Sequence, residues 1–238
     1  MRPTLLQVRN ANDPMRRQEV GCFARVLGIA PSAIRVVDLL TETVSERMVG
    51  AADLFLLGGS GDYSVTGEGD WLERAFDLLR RLREIRKPTF ASCWGFQAMA
   101  RALGGRVLHD LERAEIGTHD LFLTAAGRAD PVFAPLGEAF SGQMGHEDFV
   151  AELPPAATRL ASTDRVENQA YRIDGAPIYC TQFHPELNCN DLLERVRTYP
   201  KYIERIAGLP PERFSEMIRE TRETEQLLRR FVSVVFGA

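Results

Sequence analysis

The stretch Pro88-Thr89-Phe90-Ala91-Ser92-Cys93-Trp94-Gly95-Phe96-Gln97 compresses a strand, a turn and the start of a helix. Pro88 to Ser92 reads as a short strand, and a helix follows at once over Trp94 to Leu103, stopped by Gly104-Gly105. A cysteine stands at the junction, between Ala91 and Gly95. A sharp strand-to-helix turn needs small neighbours, because its apex is strained and packed close to adjacent elements. The sulfur of Cys93 is then expected at a helix N-terminus, where free N–H groups and the helix dipole favour thiolate over thiol. A buried structural cysteine is the alternative, since free cysteine is among the most buried residue types.

Upstream, strand and helix alternate. Thr4 to Val8 reads as a first strand, and Asp13-Pro14 as an N-cap followed by proline at the first helical position. That helix carries Val20, Phe23 and Leu27 on one face and ends near Gly28. Ile34 to Leu39 is a second strand. Asp53 to Leu57 is a third, and its nearly continuous apolar run suits a strand buried on both faces. Trp71 to Arg86 is an amphipathic helix, with Trp71, Ala75, Leu78, Leu79, Leu82 and Ile85 at helical spacing. This alternation predicts an α/β fold, a doubly wound and mostly parallel sheet with helices on both faces.

Residues 106–182 hold shorter strand-like pieces: Arg106–His109, Gly117–Thr124, Arg159–Ser162, Ala170–Ile173 and Ile178–Gln182. After Pro185 the pattern turns helical, with two helices over 190–236 interrupted near Pro200 and near Gly208-Leu209-Pro210-Pro211. A single domain over 1–189 is expected, with 190–238 as its helical C-terminal extension. The apolar cluster Leu227, Leu228, Phe231, Val232, Val235 and Phe236 is expected to pack on the domain's own surface; a homodimer or partner interface is the alternative.

The chain has 238 residues, 45% of them hydrophobic, which is enough to build a sizeable core and argues against disorder. The net charge is −4, so the basic footprint of a nucleic-acid binder is missing. No apolar run approaches the ~18 residues of a membrane span. The N-terminus is too weakly apolar for a signal peptide, so the expected compartment is the cytoplasm. Cys22, Cys93, Cys180 and Cys189 show neither a CxxC pair nor zinc spacing. Free thiols and no metal site are expected.

Two further segments can carry chemistry. In Gln182-Phe183-His184-Pro185-Glu186, residues two apart on an extended chain point the same way, which puts His184 and Glu186 on one side. A carboxylate that accepts from one ring nitrogen fixes the tautomer and leaves the other nitrogen for a thiol. A surface His–Glu pair is the alternative. In Leu57-Gly58-Gly59-Ser60-Gly61, glycines directly after a buried strand let backbone N–H groups approach a ligand, as part of an oxyanion hole with the N–H of Trp94. A plain flexible turn is equally compatible. A phosphate loop is disfavoured by the absence of GxxxxGK[ST] and by Asp62, Glu68 and Asp70 downstream.

Taken in order, strand-Gly-Gly, strand-Cys-x-Gly-x-Gln-helix and strand-Gln-Phe-His-Pro-Glu resemble the class I glutamine amidotransferase family, from about Leu5 to Leu187. The resemblance implies a flavodoxin-like fold with a Cys-His-Glu triad. Cys93 is then the nucleophile, His184 the general acid/base and Glu186 its orienting carboxylate, with Gly59 and Trp94 as oxyanion-hole donors. It also implies substrate contacts at Gly58 and Gln97 and at His146, within Gly145-His146-Glu147-Asp148, and no cofactor. Two departures stand out: Ala91 replaces the family's usual glycine two before the cysteine, and the loop Ser60-Gly61-Asp62-Tyr63 lacks its common proline.

The implied reaction hydrolyses the γ-carboxamide of glutamine through a γ-glutamyl thioester, releasing glutamate and ammonia. The roughly 50 residues after Glu186 are too few to bind a nucleotide and an acceptor, so an acceptor or synthetase subunit is an expected partner. The alternative within the same chemistry is a γ-glutamyl hydrolase or peptidase acting on another γ-glutamyl amide. A catalytically silent binding subunit is disfavoured by the intact Cys93, His184 and Glu186.

Overall fold

The computed structural model describes residues 1–208 and 211–237. Its strands are β1 (Pro3–Val8), β2 (Arg35–Asp38), β3 (Leu54–Ser60), β4 (Thr89–Ser92), β5 (Arg106–His109), β6 (Glu115–Leu123), β7 (Ala139–His146), β8 (Asp148–Glu152), β9 (Ala157–Ser162), β10 (Ala170–Ile173) and β11 (Ile178–Thr181). The helices are α1 (Met15–Leu27), α2 (Glu46–Ala51), α3 (Asp70–Glu84), α4 (Trp94–Ala102), α5 (Ala125–Ala129), α6 (Cys189–Thr198), α7 (Pro200–Tyr202), α8 (Arg222–Glu225) and α9 (Leu227–Phe236).

The central sheet runs β2-β1-β3-β4-β11-β10-β9-β6-β7, and β5 pairs with β8 in a separate ribbon. From β2 to β11 every pairing is parallel. From β11 to β7 each pairing is antiparallel, so β10 and β6 alone run against the rest. The parallel half has the flavodoxin-like strand order, in which ligands collect beyond the carboxyl ends of the strands.

Strand alternation divides the core between the two faces of the sheet. Leu6, Phe55, Leu57 and Ala91 pack with residues of α3 and α4. Leu5, Leu54, Leu56 and Phe90 point the other way, toward Phe23 of α1 and Phe231 of α9. This double cover explains why Leu54 to Leu57 are all buried. Helix α3 runs as its periodicity predicts, but Ile85 lies past its end and stays partly exposed. At the start of α1, Asp13 Oδ1 accepts from the N–H of Met15 at 2.8 Å, the capping bond that the Asp13-Pro14 pattern predicts, and Pro14 already has helical dihedrals.

Sequence periodicity misses α2, α5, β7 and β8. Helix α2 has six residues, too few for a periodic stripe. Strand β7 is an edge strand interrupted by Gly142 and Gly145, so its alternation is weak; its register comes from pairing with β6.

The C-terminal segment also departs from a simple two-helix expectation. The break at Pro200 is present, while Leu209 and Pro210 lie outside the described residues. Between 211 and 221 the chain is a 3₁₀ helix followed by a stretch without regular structure, instead of a long helix. Its backbone is held from the sheet: Thr118 Oγ1 accepts from Arg219 N–H at 2.9 Å, and Gln143 Nε2 donates to the Arg219 carbonyl at 2.9 Å. Those bonds replace the helical ones. Leu227, Leu228 and Phe231 of α9 are fully buried against the sheet, and Phe231 meets Phe90 and Tyr179 edge-on, each at 5.5 Å.

Candidate active site

Strands β3, β4 and β11 are neighbours, and their carboxyl ends converge on one rim. Cys93 links β4 directly to α4 with φ 51° and ψ −105°, a backbone conformation that L-residues rarely adopt. The turn is tied down by the Cys93 N–H donating to the Thr181 carbonyl at 2.8 Å and the Gln97 N–H donating to the Cys93 carbonyl at 3.1 Å. A Cβ at Gly95 would lie 2.5 Å from Leu57 Cβ and 3.2 Å from Ala91 Cβ. Packing of α4 on β3 therefore demands glycine there, and alanine at 91 still fits.

Burial pushes up the thiols of Cys22, of Cys180 to about 12 and of Cys189 to about 11. These three are held as thiols. Cys93 faces His184 across a cavity of about 60 Å³ that Gly59, Gly145, Tyr199 and Arg195 also line. The Cys93 sulfur lies 3.8 Å from the Gly145 carbonyl oxygen.

His184 and Glu186 are both buried, with Nδ1 of the imidazole 2.6 Å from Oε1 of the carboxylate. Burial works against the imidazolium, but the negative charges of Glu186 and Cys93 outweigh it and hold the His184 pKa up at about 9. Burial likewise opposes the Glu186 carboxylate, and His184 and Arg195 more than offset it, so its pKa is lowered.

Gly59 stands at the same point. A Cβ there would lie 3.1 Å from His184 Cε1 and 3.7 Å from Nε2. Gly58 faces inward instead: its Cβ would fall 2.2 Å from Glu19 Oε1, in the buried Arg9–Glu19 ion pair. Trp94 opens α4, so its backbone N–H belongs to the unpaired donors of a helix start.

On the other side of Cys93 lies a larger cavity of about 480 Å³, with Gln97, His146, Glu147 and Asp148 in its wall. Gln97 Nε2 donates to the Asp148 carbonyl at 2.8 Å and to Gln182 Oε1 at 3.0 Å. His146 is buried, with Nδ1 3.0 Å from the Asp148 carbonyl and Nε2 3.1 Å from Glu115 Oε2. Both its ring nitrogens are thus engaged within the fold. Along this wall Glu147 pairs with Arg205 at 3.1 Å and Asp148 lies 2.8 Å from Nδ1 of His109, and Asp62 and Lys201 also line the cavity, so both signs of charge are available.

Arg195 is the neighbour that motif reading misses. It lies on α6, nine-tenths buried, with Nη1 3.4 Å from His184 Nδ1 and 3.9 Å from Glu186 Oε1. An arginine between Leu192 and Val196 on the apolar face of a helix was the available signal. Among the described residues, no group of three or more His, Cys, Asp or Glu is placed to hold a metal ion. No helix among them is long and apolar enough to cross a membrane.

Comparison with known proteins agrees with this architecture. A family model described as glutamine amidotransferase class-I matches residues 24–193. The chain is 28% identical over 181 residues to γ-glutamyl peptidase 3 of Arabidopsis thaliana, covering 73% of this chain and 68% of that protein. It is 32% identical over 180 residues to a glutamine-hydrolysing GMP synthase of Leifsonia xyli, covering 74% of this chain but 34% of the synthase. It thus spans only about a third of that synthase's length. The crystal structure of a glutamine amidotransferase from Thermotoga maritima superposes over 100% of this chain and 99% of its own, with TM-score 0.78 at 21% identity, and so shares the fold. With the family model covering most of the chain and the sheet order matching, this protein belongs to the class I glutamine amidotransferase family.

Proposed function

We propose that this protein hydrolyses the γ-carboxamide of glutamine, with Cys93 as nucleophile, His184 as acid/base and Glu186 as the group that orients it. The observation that carries the reading is the strained Cys93 at a helix N-terminus facing a buried His184–Glu186 pair. The Cys93 thiolate attacks the amide carbon, and the oxyanion forms against the backbone N–H groups of Gly59 and Trp94. His184 gives a proton to the departing nitrogen, and ammonia leaves. Water then hydrolyses the γ-glutamyl thioester with His184 as base, releasing glutamate. No cofactor enters.

The acyl portion occupies the larger cavity. Oε1 of Glu147, buried there without a hydrogen-bond partner, suits the α-ammonium, and Lys201 and Arg205 suit the α-carboxylate. The Gly145–Asp148 segment and Gln97 form the wall beside them, and His146 holds that wall in shape through Glu115. Gly58 acts indirectly, by letting Glu19 close against the loop. The catalytic unit is 1–189, with 190–238 as its helical extension. The protein acts in the cytoplasm and hands its ammonia to a synthetase-type partner subunit.

A second reading has one specific support. A cavity of about 480 Å³ lies in the range of pockets for drug-sized ligands, so a γ-glutamyl peptide is also accommodated. The test is glutamate release from glutamine and from a γ-glutamyl dipeptide by the purified chain, beside Cys93→Ala. Cys93-dependent release from glutamine supports the first reading. Release from the dipeptide alone selects the second. Release that survives Cys93→Ala overturns both.

A further inference from the structure

Arg195 is buried beside the His184–Glu186 pair, yet it is not used up by it. Its Nε donates to Gln18 Oε1 at 2.9 Å, and Nη1 is the atom near His184 and Glu186. Nη2 is buried without a hydrogen-bond partner among the described residues. An unpaired guanidinium N–H in the interior is costly unless something fills it. Arg195 also lines the cavity of about 60 Å³ that holds Cys93 and His184, and this cavity is large enough for at least one water molecule. Its other walls combine apolar Ile116, Leu187, Leu192 and Val196 with Arg9, Ser60 and Tyr199, and Nη1 of Arg9 is already engaged by Asp13 and Tyr199. A Cβ on Gly59 would lie 3.7 Å from His184 Nε2 and 3.8 Å from Arg195 Nη1, so imidazole and guanidinium converge on one point.

We propose that Arg195 is a positioning residue for the hydrolytic water, holding it beside His184 Nε2 for attack on the Cys93 thioester. The inference rests on the glutaminase reading above. Glu186 occupies Nδ1, which leaves Nε2 as the base. The water oxygen bonds to the thioester carbon as its proton passes to Nε2. The tetrahedral intermediate then collapses, the C–S bond breaks, and the sulfur leaves with the electron pair as thiolate beside the imidazolium. A guanidinium suits the task because it can donate to the water oxygen without competing for its proton.

A merely structural arginine, there only to balance Glu186, would slow formation and hydrolysis of the thioester alike. The two roles separate by partitioning. Wild-type protein, Arg195→Met and Arg195→Lys are given glutamine together with hydroxylamine, which attacks the thioester without needing the positioned water. The ratio of γ-glutamyl hydroxamate to glutamate is expected to rise at least about tenfold in Arg195→Met, the scale of one lost hydrogen bond from a charged donor. Arg195→Lys falls between it and wild type, and mass spectrometry of Arg195→Met finds the γ-glutamyl adduct accumulating on Cys93. The ratio is internal, so a smaller folded fraction does not change it. Should Arg195→Met be insoluble, the ratio in Arg195→Lys decides. A ratio equal to wild type in the soluble variants overturns the proposal. A wild-type protein that releases no glutamate from glutamine overturns the glutaminase reading instead.

Discussion

Nδ1 of His184 lies 2.6 Å from Oε1 of Glu186, and both side chains are buried. The groups facing the imidazole are Glu186, Cys93 and the Arg195 guanidinium. Burial alone would lower the His184 pKa, so its rise from 6.5 to about 9 comes from the negative partners. A folded-state pKa above the unfolded one stabilises the fold fully below pH 6.5, and that stabilisation is lost as pH rises through about 9. Thermal denaturation should therefore show the melting temperature of the wild type falling across this window. In His184→Gln this component of the fall is expected to vanish. An identical pH dependence in the two proteins would contradict the buried ion pair.

The elbow makes a prediction about strain. Cys93→Ala should abolish turnover and leave the protein folded. Cys93→Gly should be equally inactive but more stable than Cys93→Ala, because only glycine takes φ 51° with ψ −105° without cost. Relief of such strain is on the order of 1–3 kcal/mol, less the extra chain entropy of glycine. A calorimetric scan of both variants checks the sign.

Two glycines near the site should fail in different ways. Gly95→Ala drives a Cβ to 2.5 Å from Leu57 Cβ, inside the packed layer between α4 and β3. It is expected to cost about 1–3 kcal/mol of stability. Gly59→Ala places its Cβ 3.1 Å from His184 Cε1, a contact the ring relieves by shifting a few tenths of an ångström. Melting temperature should fall in the first variant. In the second, kcat should drop about 100-fold or more, since small misplacements of catalytic groups are expensive.

The C-terminal helix gives a stability prediction. Phe231 is fully buried between Phe90 and Tyr179, so Phe231→Ala should destabilise the protein by about 3–5 kcal/mol in urea unfolding. An effect well below 1 kcal/mol would mean that α9 is docked only loosely.

The motifs were legible because their geometry is local. A tight turn at Pro185-Glu186, closed by the Leu187 N–H donating to the His184 carbonyl at 3.3 Å, brings His184 and Glu186 together where extended chain was expected, and a strand running straight into a helix forces the Cys93 turn. The strands of the parallel half were legible for a related reason: Leu54 to Leu57 is apolar throughout because both faces of the sheet are covered. Illegible elements are those whose identity comes from partners. Strand β7 takes its register from β6, and the irregular stretch around Arg219 exists because Thr118 and Gln143 satisfy its backbone.

Gly58 and His146 show the same division within the site. A glycine after a strand is compatible with ligand contact and with close packing; the fold places Glu19 against Gly58 and uses it for packing. His146 lies in the segment expected along the cavity, but Glu115, 31 residues away, engages its Nε2. Arg195 had no motif at all. It reaches His184 because α6 folds back beside α1, where Gln18 holds its Nε.

Composition, periodicity and short-range spacing were thus enough to specify a doubly wound sheet with a cysteine at one strand end and a His–Glu pair at another. They act through forces between residues a few positions apart. Whether those ends meet, what charge lies behind the imidazole and how much space flanks the sulfur depend on contacts between residues far apart in the chain. The Cys93–His184 cavity is set by β4 and β11 lying side by side, and the guanidinium of Arg195 reaches it by α6 packing across them. Such contacts arise only when the whole core closes, because no single segment buries enough apolar surface to hold them alone.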